Sequence, residues 1–153
     1  MMKVLRCGIA IALVGGAVVA LTSVSEATSV PAFIGQPQQA ADYACFTNTF
    51  GRVSNVCTTT RQFCMALPVT SGSHTVQVSA QAADVNHNVS CFAQAVTSDF
   101  FDAGHTPSPV SPATFPGIQL LNLGTFNLPA NAYLFACCNI APSPNTIVTS
   151  VIY

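Results

Sequence analysis

The chain has 153 residues, 50 % of them hydrophobic and only 6 % charged, with a formal net charge of −1. Four Lys and Arg side chains cannot build the clustered cationic surface that neutralises phosphates, so nucleic acids and anionic membrane surfaces are excluded as partners. Trp is absent and Glu occurs once, at Glu26, which argues against paired-glutamate glycoside cleavage, helical zinc-protease chemistry and a Trp-based sugar-stacking module.

Residues 1–27 have the layout of an export signal. Lys3 and Arg6 supply the positive start, and residues 7–21 form an uncharged apolar run. That run is shorter than the ~20 residues a membrane-spanning helix needs, and Gly15-Gly16 weakens it further as a permanent helix. Small residues at Ser25 and Ala27 place cleavage after Ala27, with a cut after Ala20 as the alternative and an uncleaved anchor as the competing reading. No later stretch approaches membrane-spanning length, so no membrane contact is expected after cleavage. Residues 28–153 then contain no Lys and no Glu. Arg52 and Arg61 stand against Asp42, Asp84, Asp99 and Asp102, a formal charge of −2. So little charge gives weak mutual repulsion, and near-neutral surfaces tend to associate.

In residues 28–42, small polar residues and the breaks at Pro31 and Pro37 predict an extended N-terminal arm. Strand signals begin at residues 43–46, with Gly51, Ser54 and Asn55 marking turns. Residues 58–67 follow, ending at Pro68, which cannot donate to a ladder. Residues 75–83 alternate cleanly: Val76, Val78, Ala80 and Ala82 on one face, Thr75, Gln77, Ser79 and Gln81 on the other. Residues 84–88 (DVNHN) are turn chemistry, and residues 89–96 repeat the alternation, so the two runs predict a hairpin. Four prolines between 98 and 116 define a long irregular loop of the kind that carries function or moves. Strands return at 118–126, where Leu120-Leu121 hints at a bulge, and at 133–140 and 147–153. Short strands without convincing helices predict an all-β domain over 43–153: an antiparallel β-sandwich, jelly-roll or Ig-like, with a closed barrel as the alternative.

Cys7 leaves with the export signal. Cys45, Cys57, Cys64, Cys91, Cys137 and Cys138 remain, an even set that reads as a disulfide framework made in an oxidising compartment. Spacing alone does not choose the pairing. Cys137 and Cys138 are adjacent, so on a strand they project to opposite faces and take different partners. No C-x-x-C pair suggests zinc, and no cofactor is expected.

The segments 63–68 (FCMALP), 84–91 (DVNHNVSC) and 133–142 followed by 147–153, in this order, resemble an uncharacterised family of exported bacterial β-sandwich proteins that contain cysteines. Met65 and Ala141 stand where that pattern has proline. The resemblance implies a Cys64–Cys138 disulfide and no particular activity.

Three constellations carry candidate chemistry. Asp84, Asn86 and Asn88 echo the start of a calcium loop, but Val89 and Ala95 occupy the positions where such a loop needs Gly and Glu, so a turn explains them equally well. Asp99, Asp102 and His105 could bind a ligand or act as acid and base, although loop residues are commonly polar because they face water. Ser73-His74 sets a serine beside a histidine without the G-x-S-x-G elbow. The chain is therefore expected to be a secreted, extracellular or periplasmic, non-enzymatic protein with a structural, adhesive or surface-assembly role. Its expected partners are further copies of itself or a cell-surface glycan. The alternatives are a carbohydrate- or small-ligand-binding module using residues 98–116, and a secreted hydrolase centred on Asp99, Asp102 and His105.

Overall fold

A computed structural model describes residues 27–99, 101–106 and 117–153. All of the expected export signal except Ala27 lies outside the described residues, as do residue 100 and residues 107–116 of the long loop. The described chain forms β1 (Ser29–Pro31), β2 (Gln36–Pro37), β3 (Phe46–Thr49), β4 (Arg52–Asn55), β5 (Arg61–Leu67), β6 (Gly72–Gln81), β7 (Val89–Thr97), β8 (Asp102–His105), β9 (Gln119–Leu128), β10 (Ala132–Ile140) and β11 (Ser143–Ile152). Two short 3-10 turns, Ala32–Ile34 and Ala40–Cys45, complete it.

The strands form two antiparallel sheets packed as a sandwich. One runs β3-β4-β11-β6-β9, with β1 continuing the line of β4 along the same edge of β11; the other runs β2-β5-β10-β7-β8. Within the span β4 to β11, the chain changes sheet at every connection except β7–β8, and the orders β4-β11-β6-β9 and β5-β10-β7-β8 are those of a jelly roll. Alternating side chains drive this arrangement. Val76, Val78 and Ala80 on β6 face Val89, Cys91, Ala93 and Ala95 on β7 and Leu134, Ala136, Cys138 and Ile140 on β10, all fully buried.

Several expectations are corrected. β6 and β7 do not form a hairpin, because they lie in different sheets. Two strands with one dry face each can bury it side by side or face to face, and residues 82–88 take the second course. Residues 28–42 are not a free arm either: β1 pairs with β11, β2 pairs with β5, and Val30 and Ala32 enter the core. Residues 43–46 form no strand until Phe46; the preceding segment is a 3-10 turn, closed by the Phe46 amide donating to the Tyr43 carbonyl. Ser54 and Asn55 are buried in β4. Part of the long loop is ordered as the edge strand β8. The bulge in β9 falls after Leu120-Leu121: Val76 pairs with Gly124 and Gln77 with Asn122, leaving Leu123 extra. It switches the parity of the strand, so that Leu121 before it, Leu123 within it, and Phe126 and Leu128 after it all turn toward the core.

The disulfides are Cys45–Cys57, Cys64–Cys137 and Cys91–Cys138. The Cys64–Cys138 pair implied by the family resemblance is not formed, and strand register explains why. On β10, Cys137 lies opposite Cys64 of β5, whereas Cys138 lies opposite Phe63 of β5 and Cys91 of β7. Cys64 and Cys138 thus point to opposite faces of one sheet. Three disulfides indicate an oxidising, extracytoplasmic setting. Among the described residues, no helix is long and apolar enough to cross a membrane.

Candidate functional site

Most of the polar candidates from the sequence are used locally. Asp84 Oδ1 accepts from the backbone amides of Asn86 (2.8 Å) and His87 (2.9 Å), and His87 Nδ1 lies 2.8 Å from Asp84 Oδ2. The His87 side-chain hydrogen bond, followed by the Asn86 amide, holds the Asp84 carboxyl below its ordinary range. The Asn88 carbonyl accepts from the Ala141 amide. A turn lock therefore accounts for the residues of the calcium candidate. Among the described residues, no group of three or more His, Cys, Asp or Glu side chains could hold a metal ion.

Asp102 and His105 come together on β8, with His105 Nδ1 3.7 Å from Asp102 Oδ2, and both are well exposed. The other Asp102 oxygen accepts from the Gly104 amide at 2.8 Å. Asp99 is exposed in the turn after β7, and no hydrogen bond or ion pair joins it to them. An exposed pair at that distance is weak and screened by water, and no hydroxyl or thiol among the described residues is hydrogen-bonded to it. His74 Nε2 is 2.7 Å from the Thr70 carbonyl, closing the β5–β6 connection, and Ser73 beside it lies in β6, opposite Asn127 of β9.

A different site emerges where the edges of the two sheets meet. Phe33 on the first 3-10 turn, Tyr43 on the second, Phe46 at the start of β3 and Phe63 on β5 wall a cleft of about 160 Å³, with Gly35 and Pro37 beside them. The Phe46 and Phe63 rings meet at 5.0 Å and 57°, a tilted arrangement that aromatic pairs favour. Phe33 and Tyr43 keep 50 % and 56 % of their surface exposed at the mouth. Glycine is required at Gly35, since a Cβ there would stand 2.4 Å from Phe63 Cε1 and 2.7 Å from the Cys64 carbonyl oxygen. No charged side chain lines the cleft. The Asp42–Arg61 ion pair (3.4 Å) ties the second turn to β5 behind Tyr43.

Next to this cleft, the β3–β4 hairpin turns through Phe50 and Gly51, both with positive φ (52° and 77°). The Phe50 side chain is 98 % exposed. Little in the sequence points to this site: its rings are scattered over residues 33–63 without periodicity, and the run Ala32-Phe33-Ile34 sits inside a segment otherwise small and polar. The chain matches no protein-family model and no curated protein.

Proposed function

We propose that the protein is an exported, non-enzymatic structural or adhesive module that works by association, its export directed by residues 1–27. One observation carries the reading: Phe33, Ile34, Tyr43 and Phe50, all large and apolar, are exposed on neighbouring turns of a chain almost without charge. Apolar side chains gathered on a surface in this way mark contact sites, and the weak charge opposes contact little. That Asp84, Asp102, His87 and His74 are engaged in local hydrogen bonds supports the non-enzymatic part of the reading. The test is sedimentation velocity of the exported, oxidised protein over a wide concentration range, together with binding to the surface of the producing cell. Association or surface retention is expected; a strictly monomeric protein that stays free in the medium contradicts the reading.

The half-exposed rings of Phe33 and Tyr43 favour a second reading, a module that stacks a neutral sugar ring in the cleft. A glycan array checks it: binding lost in Tyr43→Ala supports it, and no binding removes it.

A further inference from the structure

We infer that Phe50 is a knob and the aromatic cleft its socket, joining two copies of this chain. The inference rests on the association reading and names the surface through which it acts.

Phe50 is placed against its own local preferences. A two-residue hairpin loop with both residues at positive φ favours Asn-Gly or Asp-Gly, because Asn and Asp tolerate the left-handed conformation and bulky side chains do not. Here an aromatic residue takes the first position, at φ 52°, and leaves its ring almost wholly in water. Among the described residues of the single copy, nothing offsets either cost. Burial of the ring in a partner would.

The socket fits what the knob offers. At about 160 Å³ it compares with the cavity of about 150 Å³ that takes up one benzene ring. Phe33, Tyr43, Phe46 and Phe63 give a phenyl ring edges and faces to pack on, and the absence of charge in the lining suits an apolar guest. Phe50 cannot fill its own socket, because Phe46 and Thr47 of the same hairpin form part of the wall. The guest must therefore come from another molecule. Knob and socket lie near one another, with Phe33 under the Gly51 side of the turn. Two copies can thus exchange knobs about a two-fold axis, or each can feed the next in a row.

The test compares the exported, oxidised protein with two variants by sedimentation velocity. Phe50→Asn keeps a residue suited to the turn, so folding is retained while the knob is lost. Tyr43→Asp puts a charge at the mouth of the socket and keeps the knob. Removing a buried aromatic anchor is expected to raise the concentration needed for association roughly tenfold or more in each variant. Mixing the two is expected to restore part of the association, since Phe50→Asn supplies the socket and Tyr43→Asp the knob. Unchanged association of Phe50→Asn would overturn the inference and leave the broader reading standing. A wild-type protein that remains monomeric throughout would overturn both.

Discussion

Cys91 and Cys138 face each other across β7 and β10, their Cα atoms 4.1 Å apart and both side chains fully buried on the inner face of the sheet. One residue earlier on β10, Cys137 bonds Cys64 of β5 through the opposite face of the same sheet. Adjacent cysteines thereby fasten the central strand β10 to both its neighbours, one staple on each side. In the loop-entropy view, a link closing 47 or 73 residues restricts the unfolded chain by about 4 kcal/mol, and the Cys45–Cys57 link over 12 residues by about 3 kcal/mol.

This pairing gives a thiol count that separates it from its nearest alternative. The double variant Cys64→Ala/Cys137→Ala should show no free thiol, because Cys91–Cys138 and Cys45–Cys57 remain. Cys64→Ala/Cys138→Ala should show free thiols at Cys91 and Cys137, which lie on opposite faces and cannot re-pair. Titration of the unfolded variants with a thiol reagent checks both, and the reverse pattern would restore the Cys64–Cys138 link.

Asn55 is a structural polar residue, fully buried at the end of β4. Its Nδ2 donates to the Thr59 and Ile140 carbonyls at 2.8 Å each, and its Oδ1 accepts from the Cys57 amide at 3.0 Å. Asn55→Ala would remove all three bonds, the one to the buried Ile140 carbonyl among them, at a cost of about 1–3 kcal/mol. Urea unfolding of variant and parent under oxidising conditions measures the loss.

The turn at Asp84 should weaken only in acid. Its carboxyl is held below the ordinary value of 3.8, first by the His87 side chain and then by the Asn86 amide. A depressed folded pKa means that the stabilisation is complete above the ordinary value and is lost as pH falls through the lower, folded one. The Asp84 carboxyl-carbon NMR signal should titrate with a midpoint below 3.8, and Asp84→Asn should remove that acid-side dependence. A midpoint at or above 3.8 would contradict the hydrogen bonding described for this turn.

Gly35 sets the depth of the aromatic cleft. An added methyl would press on Phe63 and on the Cys64 carbonyl oxygen, and backbone can give way only by shifting β2 from β5. Gly35→Ala should destabilise the fold by about 1–3 kcal/mol. The fall in denaturation midpoint is the readout.

The parts of this fold legible in the sequence are those governed by period two. Val76 to Ala82 and Val89 to Ala95 announce strands with one dry face, and Cys137-Cys138 announces two partners on two faces. The same alternation is silent on whether β6 and β7 share a sheet, since both arrangements bury the same residues. It also misplaces the irregularity of β9, because the bulge at Leu123 is set by the register against Val76 and Gln77, far away in sequence. The place of residues 28–42 in the fold is not legible because Val30 and Ala32 stand in a short segment broken by Pro31 and Gly35, and their burial depends on β11 being there to receive them. The cleft was hidden for the same reason: its four rings come from four elements, and only the folded chain brings them to one place.

The most direct measurement is the intact mass, under denaturing and non-reducing conditions, of the protein recovered outside the cytosol. The recovered chain should begin after Ala27 and be six hydrogens lighter than its reduced form, two for each of the three disulfides. A chain that retains residues 1–27, or one carrying the full hydrogen count of six thiols, would contradict this expectation.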